Sequence, residues 1–322
     1  MKNLKKYLWR TASKFIKKYN LDKKAAERGW FSPKVIVRMD GGLASQISFF
    51  SLGYIAAKKA GLPLYLDITW FQQCSKDLQG KHNRIFNLFN AFPAIREKYS
   101  DALITDAEIP SLFLKLFSDS HNKRDITSYD PNLYTDHSVY LDCYYPSVQY
   151  IAQEQKSLKE LFQFGEELSE TEQELLHSIE SSNSCALHIR RGDYCGTVHE
   201  VCTENYYKRA IARMSELHPD IVFYVFSNDE EWVEQFITSL PGAHNFVILR
   251  NRSEATPIVD MHLMSACKHA IISNSGFSFF PAFLTYSEQK TVIMPEVWLN
   301  GSSREKSRYL YYMPGWIQLE ID

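Results

Sequence analysis

Short apolar runs alternate with amphipathic stretches in a regular rhythm from residue 185 onward. The runs predict strands at 185–190, 221–227, 246–249, 270–273 and 291–294. The stretches between them predict helices near 203–217, 229–239, 257–267 and 278–286. Continuous apolar runs are typical of strands buried on both faces. We therefore expect a parallel sheet with helices on both sides.

A βαβ unit is also predicted near the start of the chain. Val35–Met39 and Leu64–Asp67 have the pattern of strands, and the helix between them runs through Lys59. Gly61 follows as its C-cap. The turn Asp40–Gln46 joins the first strand to the helix, and it lacks the third glycine of a dinucleotide-binding fingerprint.

The chain between these regions has a weaker pattern. Residues 68–150 predict helices and loops with one clear strand at 138–142, and the charged stretch 154–182 predicts a helical linker. The predicted fold class is α/β, of the GT-B type, with two Rossmann-like, doubly wound domains facing a cleft. These domains are expected to cover 31–180 and 181–322.

Residues 1–30 are expected to form a basic arm ahead of the two domains. Residues 1–24 carry nine Lys and Arg and one acid, and their apolar side chains recur at three- to four-residue steps. Such a helix can lie on an anionic membrane surface, where each basic side chain contributes about 1 kcal/mol. The alternative is a helix that packs on the body of the protein with its lysines solvated.

The composition is that of an ordinary globular protein, with 45% hydrophobic and 23% charged residues and a formal net charge of −2. This balance does not indicate nucleic acid as a partner. The six cysteines show no C-x-x-C spacing and no zinc pattern, which favours reduced thiols in the cytoplasm. No apolar stretch reaches the roughly 18 residues of a membrane span, and no signal peptide is visible.

The first strand of the second half ends in His188, Arg190, Arg191, Asp193 and Tyr194. Ligands bind at the carboxyl ends of strands in open α/β sheets. Two adjacent guanidinium groups favour an anion between or beside them, and a diphosphate matches their geometry. The alternative is a surface arginine pair in an ordinary turn.

Two further strand ends carry polar residues. Ser227-Asn228-Asp229 follows one strand, and Ser273-Asn274-Ser275-Gly276-Phe277-Ser278 precedes a helix whose N-terminus can hold a phosphate. The alternative is that these side chains are only helix caps. Together, the three edges favour a nucleotide-diphosphate site. No Asp-x-Asp motif is present, so we expect no metal and no other cofactor, with cationic side chains neutralising the leaving diphosphate.

Several motifs, in order, resemble those of the bacterial α-1,2-fucosyltransferases of glycosyltransferase family 11. His188–Tyr194 matches the family's HxRRxDY, and Asp40–Gln46 is similar to its GGLGNQ turn. Its FSDD, MxLMSxCKH and NSSFSWW motifs are similar to Phe226–Asp229, Met261–His269 and Ser273–Phe280. The resemblance implies a GT-B fold, GDP-β-L-fucose as donor, and inverting, metal-independent transfer in the synthesis of surface glycan such as O-antigen. The implied acceptor is a galactose-terminated glycan, which can be lipid-linked.

The chain departs from the family pattern at four places. Ala44-Ser45 stands where the family has Gly-Asn, Asn228 replaces the first Asp of FSDD, Gly276 replaces a serine, and Phe279-Phe280 replace two tryptophans. We therefore expect a divergent member with a different acceptor or linkage. Two alternatives stay open: a relative that uses another GDP-sugar such as GDP-mannose, and a non-catalytic protein that binds sugar or nucleotide.

The hypothetical mechanism assigns roles to the clustered residues. Arg190 binds the β-phosphate, Arg191 shapes the site, and Asp229 contacts the guanosine. The candidates for holding the phosphates are Ser227, Ser273, Asn274, Ser275, Gly276, Phe277 and Ser278. His188 is grouped with the catalytic candidates. A lone histidine at a strand end is nevertheless expected to stabilise, by hydrogen bonds, the loop of Arg190 and Arg191, which we call the arginine loop.

The acceptor hydroxyl must lose a proton, and Asp193, His199 and Glu200 are the candidate bases, with Asp193 first for its place in the motif. Asp193 can equally brace the arginines. The turn is expected to contribute Gly41, Gly42, Ser45 and Gln46. The acceptor side is expected to contain Asp142, Tyr144 and Tyr145, for which packing at a strand end is the alternative.

Overall fold

The computed structural model describes residues 33–73, 76, 83–105, 119–120, 139–142, 148–242, 245–250, 257–285, 287, 289–302 and 311–321. The chain forms two compact units that divide between Leu161 and Phe162. The basic arm and the pair Tyr144 and Tyr145 lie outside the described residues. No helix in the described part of the chain is long and apolar enough to cross a membrane.

The first unit is an α/β unit around a parallel five-stranded sheet. Its strands are β1 (Val35–Arg38), β2 (Leu64–Asp67), β3 (Leu103–Ile104), β4 (Asp119–Ser120) and β5 (Val139–Leu141), in the order β3-β2-β1-β5-β4. Its helices are α1 (Leu43–Ala60), α2 (Thr69–Gln73), α3 (Leu88–Ala91), α4 (Pro93–Tyr99), α5 (Val148–Ala152) and α6 (Gln155–Leu161), with a 3₁₀ turn at Ser100–Ala102.

Helix α1 packs closely on the sheet and ends where the sequence predicts. Gly61 has a φ of 66° and accepts the left-handed conformation of the C-cap without a steric penalty. Gly53 lies against Val37 of β1, and a Cβ atom at this position would approach the Val37 side chain to 2.7 Å. The small residues of α1 therefore bring the helix, and the turn that precedes it, close to the strands.

The second unit contains a parallel six-stranded sheet. Its strands are β6 (Ser184–Ile189), β7 (Val222–Ser227), β8 (Asn245–Ile248), β9 (His269–Ile271), β10 (Val292–Pro295) and β11 (Ile317–Leu319), in the order β11-β10-β9-β6-β7-β8. Its helices are α7 (Glu170–Ser181), α8 (Glu204–Leu217), α9 (Glu230–Ser239), α10 (Pro257–Ala266) and α11 (Gly276–Leu284).

The predicted rhythm of the second half is confirmed, and strand β11 is an addition to it. Ile317–Leu319 is a three-residue strand that pairs with β10, and a run this short carries little periodicity. The unit also begins earlier than the predicted boundary at 181. Helix α7 packs against α10, and Ser178 Oγ lies 2.8 Å from Tyr224 Oη on β7, so this helix belongs to the second unit.

In each sheet the strand order reverses beside the first strand. From β1 the chain proceeds through β2 to β3, and β5 then lies on the other side of β1. From β6 it proceeds through β7 to β8, and β9 then lies on the other side of β6. Ligands in open α/β sheets bind outside the carboxyl ends of the strands at such a switch point. This rule selects the residues that follow β1 and β5, and those that follow β6 and β9.

Candidate functional site

The carboxyl ends of β6, β7 and β9 bring the predicted second-unit residues to one edge. In the register of the sheet, Ile189 is opposite Ser227 and Leu187 is opposite Ile271. The loops that begin at Arg190, Asn228 and Ile272 therefore leave the sheet side by side. This grouping follows from strand order and register.

Arg190 is mostly buried and has a carboxylate partner. Its Nη2 donates to Asp193 Oδ2 at 2.7 Å, and its guanidinium carbon lies 5.5 Å from the centre of the Tyr194 ring. The side chain keeps 19% of its surface exposed. A guanidinium has five N–H donors, and the Asp193 carboxylate accepts one of them.

Arg191 is held by different partners. Its Nε donates to Asp229 Oδ2 at 3.3 Å, and its guanidinium carbon lies 4.4 Å from the centre of the Trp232 ring. Its backbone N–H donates to Asn228 Oδ1 at 3.0 Å. The protein itself thus supplies a carboxylate for each arginine, where the sequence alone suggested an external anion for the pair.

Asp229 caps helix α9. Its Oδ1 accepts from the backbone N–H of Trp232 at 3.2 Å, while its own N–H donates to Ser227 Oγ at 3.0 Å. With Arg191 on Oδ2, both carboxylate oxygens have protein partners. The capping alternative describes Asp229 and Ser227 in this structure, and a contact between Asp229 and guanosine stays a prediction.

His188 is a buried neutral brace. Its Nδ1 lies 2.9 Å from Ser273 Oγ, and its ring centre lies 5.6 Å from that of Phe277. Burial, and then the neighbouring charge of Arg190, lower the pKa of His188 from 6.5 to about 3. The imidazole is therefore uncharged at neutral pH. Its hydrogen bond joins the end of β6 to residues 273–278, the serine loop.

The side chains of the serine loop are engaged within the protein. Ser275 caps α11 by accepting the Phe277 N–H at 3.2 Å, and Ser278 Oγ lies 3.3 Å from the Ser275 carbonyl. Both hydroxyls are buried and have protein partners, and their role toward phosphate stays a prediction. The N–H groups of Phe277 and Ser278 already donate to Ser275, so the start of α11 can offer an anion the Gly276 N–H and the helix dipole.

Asn274 joins three segments of the second unit. Its Nδ2 donates to the carbonyls of His199 and Trp298, both at 2.9 Å, and its Oδ1 lies 3.5 Å from Cys202 Sγ. The side chain is 2% exposed. Asn274 thus connects these loops in the structure, and its contact with phosphate stays a prediction.

The loop after the arginines contains the other candidate bases. The His199 ring centre lies 5.0 Å from that of Tyr194, and burial lowers the pKa of His199. The exposed Glu200 accepts the Gly196 N–H at 2.7 Å and so stabilises its own loop. Asp193 is held by two partners, Arg190 and Asn228 Nδ2, the latter at 3.3 Å from Oδ1.

The Gly-Gly turn of the first unit is fixed by Gln46. This buried amide donates to the carbonyls of Gly41 at 3.1 Å and Ile85 at 2.9 Å, and it accepts the N–H groups of Asn87 and Leu88. Gly41 has a φ of 71°, and a Cβ atom on it would lie 3.0 Å from Ser45. Gly42 is the N-cap residue of α1. Gln46 therefore acts as a clamp, and no contact with a ligand is needed to account for it.

A charged cluster lies at the switch point of the first sheet. Arg38, at the end of β1, has its Nη1 3.3 Å from both oxygens of Asp142, which follows β5, and its Nε 3.7 Å from Asp40 Oδ2. Burial, and more weakly Asp142, raise the pKa of Asp40, although Arg38 lowers it. Of these three, only Asp142 was predicted. Charged residues directly after the apolar run 35–37 were the available signal for Arg38 and Asp40.

Asp67 completes this edge. Tyr140 Oη donates to Asp67 Oδ2 at 2.5 Å, and the Thr69 N–H donates to Oδ1 at 3.0 Å. The Tyr140 bond joins β5 to the end of β2 across β1. Among the residues that the structure describes, no group of three His, Cys, Asp or Glu is arranged to hold a metal ion.

Comparison with known proteins gives the following matches. The profile of glycosyl transferase family 11 matches residues 119–320. The Escherichia coli protein "O-antigen biosynthesis glycosyltransferase WbnK" is 28% identical over 306 residues, covering 87% of this chain and 99% of that protein. The Escherichia coli "Alpha-1,2-colitosyltransferase" is 28% identical over 277 residues, covering 82% of this chain and 92% of that protein.

More distant relatives and solved structures agree with these matches. The human "Galactoside alpha-(1,2)-fucosyltransferase 1" is 29% identical over 143 residues, covering 42% of this chain and 38% of that protein. A crystal structure of POFUT1 in complex with GDP is similar with a TM-score of 0.50 at 10% identity, covering 81% of this chain and 98% of the other. The chain thus has the α/β, GT-B class of fold.

Proposed function

Because the chain belongs to glycosyltransferase family 11, we propose that it transfers L-fucose from GDP-β-L-fucose to the 2-hydroxyl of a terminal galactoside. The transfer inverts the configuration at C1 and uses no metal or other cofactor. The product is a surface glycan of the O-antigen kind, and the Escherichia coli relative WbnK, named for O-antigen synthesis, supports this.

The observation that carries the proposal is the edge formed by β6 and β9. Arg190 follows β6 with 19% of its side chain exposed, and the N-terminus of α11, where the helix dipole favours an anion, follows β9. Both lie at the switch point of a parallel sheet, where nucleotides bind in this class of fold. Guanidinium and backbone N–H groups together are the donors that a diphosphate requires.

In the proposed reaction the acceptor oxygen forms a bond to C1 of fucose while the bond from C1 to the phosphate oxygen breaks. The bonding electron pair leaves with the β-phosphate of GDP. Arg190 stabilises this growing negative charge, and the N-terminus of α11 adds its dipole. The acceptor proton passes to a carboxylate, for which Asp193 is the first candidate.

The acceptor is proposed to bind at the switch point of the first sheet. Asp40 and Asp142 present two carboxylates to one guanidinium, that of Arg38, so this edge carries excess negative charge. Carboxylates accept hydrogen bonds from sugar hydroxyls, and their charge disfavours a diphosphate. The proposal thus assigns the donor to the arginine edge, which is the carboxyl end of β6 and β9 with Arg190 and Arg191. It assigns the galactoside to the aspartate edge, which is the carboxyl end of β1 and β5 with Asp40 and Asp142.

Colitose is the second candidate for the transferred sugar. The colitosyltransferase of Escherichia coli covers nearly as much of this chain as WbnK does, at the same identity. The residues of the arginine edge suit the diphosphate and carry less information about the sugar. A GDP-linked colitose is therefore a necessary probe beside GDP-fucose.

Thermal unfolding with added nucleotide sugars tests the proposal. GDP-fucose, GDP-colitose, GDP-mannose and UDP-galactose are compared in the presence of EDTA, and a ligand at 100 times its Kd stabilises the protein by about 2.7 kcal/mol. We expect the largest stabilisation from GDP-fucose and none from UDP-galactose. Stabilisation by GDP-colitose above GDP-fucose would select the second candidate. A protein that responds to no GDP-sugar would overturn both.

Residues 1–24 are proposed to hold the enzyme at the inner face of the cytoplasmic membrane, where a lipid-linked acceptor would be within reach. Their excess of basic residues supports this location. Co-sedimentation with vesicles containing phosphatidylserine tests it, with neutral vesicles as the control. Equal binding to both kinds of vesicle, or to neither, would contradict the proposal.

A further inference from the structure

We propose that Asn228 is a positioning residue of the donor site, whose amide fixes the Asp193 carboxylate against Arg190. This inference rests on the proposed function, because it concerns how the arginine edge is prepared for a diphosphate. Asn228 follows β7, whereas Arg190 and Asp193 belong to the loop after β6. The amide therefore joins two loops that the sheet places side by side.

The amide group of Asn228 uses both of its ends. Oδ1 accepts the backbone N–H of Arg191 at 3.0 Å, and Nδ2 donates to Asp193 Oδ1 at 3.3 Å. Asp193 Oδ2 is thereby left for Arg190 Nη2 at 2.7 Å. Each oxygen of the carboxylate has its own donor, which fixes the plane of the carboxylate and, through it, the orientation of the guanidinium.

The amide of Asn228 supplies a donor that the aspartate of the family's FSDD motif lacks at this position. A carboxylate at position 228 would still accept the Arg191 N–H, but its second oxygen would face the Asp193 oxygen with no proton between them. An aspartate is thus isosteric with Asn228 and lacks only its donor, so it tests the hydrogen bond to Asp193 separately from the shape of the side chain.

Gly192 shows that the amide is held at close range. A Cβ atom on Gly192 would lie 2.6 Å from Asn228 Nδ2 and 3.2 Å from its Cγ. The backbone of Gly192 is outside the left-handed region, so an alanine there meets only this steric obstacle. The absence of a side chain at 192 therefore gives the amide its position over the arginine loop.

Asn183 provides a matched control at the opposite end of the same sheet. It precedes β6, its Nδ2 donates to Asp220 Oδ1 at 2.9 Å, and its Oδ1 lies 3.1 Å from His269 Nε2. It therefore bridges two side chains as Asn228 does, but at the amino edge. A purely structural role for Asn228 predicts that the two alanine variants behave alike.

The experiment compares N228A, N228D and N183A in the full chain. GDP affinity is measured by calorimetry, the kinetics of GDP-fucose transfer to lactose are followed by GDP release, and thermal unfolding is recorded for each variant. We expect N228A to lower kcat/KM for the donor about tenfold, with a weaker Kd for GDP. N228D introduces the residue of the family's FSDD motif and keeps an acceptor for the Arg191 N–H, so it should lose less than N228A. N183A should lose stability and keep its donor kcat/KM and GDP Kd within about twofold.

A double-mutant cycle with Gly192 separates positioning from general destabilisation. G192A in the wild-type background should displace the amide and resemble N228A. In the N228A background the extra methyl group has room, so G192A should add little further loss. Additive losses, or equal kinetics for N228A and N183A, would overturn the inference. Wild-type protein that binds no GDP would instead overturn the proposed function.

Discussion

The two sheets have the same topology at their switch points and opposite chemistry. In the second unit two arginines follow β6, and each is paired with one aspartate, Asp193 or Asp229. In the first unit one arginine, Arg38, lies between two aspartates. In the proposed function the first arrangement binds the diphosphate of the donor, while the second binds hydroxyl groups of the acceptor through its carboxylates. Strand order thus places a site, and the residues after the strands decide its ligand.

The two edges also share a way of being held in place. A buried amide lies at each: Gln46 donates to the carbonyls of Gly41 and Ile85, and Asn274 donates to those of His199 and Trp298. Each NH₂ group therefore joins two backbone segments. The charged side chains differ, but the loops that carry them are fixed by the same type of contact.

Removing Arg190, the first of the two arginines after β6, should lower the activity more than any other change to the two edges. R190A deletes a donor to the growing charge on the phosphate, and the loss of one such donor lowers kcat by about 10² to 10³. Transfer measured by GDP release should fall at least this far, with an unchanged circular dichroism spectrum. R213A, which removes an exposed arginine of α8 paired with Glu216, is the control. Near-wild-type turnover of R190A would contradict the proposal that the donor binds at this edge.

The two buried amides should give the next largest effects. Q46A and N274A each leave buried backbone groups without partners, which costs about 2–4 kcal/mol of unfolding free energy. Urea unfolding monitored by hydrogen exchange measures the loss separately for peptides of each unit. The conservative Q46E and N274D should also destabilise, because a carboxylate cannot donate to two carbonyls. A loss below about 0.5 kcal/mol for either alanine variant would contradict its role as a clamp.

Much of the fold was predictable because the periodicity of this chain is strong where its strands are buried. The βα rhythm after 185 and the helix closed by Gly61 follow directly from apolar runs and a C-cap glycine. Strand β11 was not predicted, since three residues give no usable period. The boundary between the units was placed too late because a charged helix, α7, looks the same whether it links two domains or packs on one.

The candidate site was predictable as a grouping of residues and not as a set of contacts. Strand ends and motif order indicated Arg190, Arg191 and the serine loop. Which of them stay accessible depends on tertiary partners that are far apart in sequence. Asn274 meets Trp298, and Asp142 meets Arg38 across 104 positions. Asp40 was not among the predicted site residues, because the glycines that follow it are the stronger signal in this turn.

A smaller effect should follow from changing the aspartate edge. D142N and D40N keep the shape of the carboxylate and remove its charge, so each should raise the acceptor KM about tenfold, equivalent to about 1.4 kcal/mol. The KM for GDP-fucose and the acceptor-independent release of GDP should stay within about twofold. D101N, at an exposed position in the 3₁₀ turn of the same unit, is the matched control. A rise in the donor KM instead would reverse the assignment of the two edges.

The smallest effect should be a change in stability at mildly acidic pH that has opposite signs in the two units. Burial lowers the pKa of His188 to about 3 and that of His269 to about 4, from 6.5 in the unfolded chain. Their stabilising contribution is complete above pH 6.5 and declines as the pH falls toward these values, because the unfolded state binds the protons first. Between pH 7 and 6 the loss is below about 1 kcal/mol per histidine.

The contribution of Asp40 to stability changes with pH in the opposite direction. Its folded pKa is raised, so the folded state takes up the proton first and the first unit gains stability as the pH falls toward that pKa. Hydrogen exchange of peptides from each unit at pH 7, 6 and 5, corrected for the intrinsic exchange rate, measures the two trends. H269N, which removes the titrating ring at the amino edge, should flatten the decline of the second unit. Equal slopes in both units would show that these groups do not govern the response, and the contrast between the edges would then rest on their ligands alone.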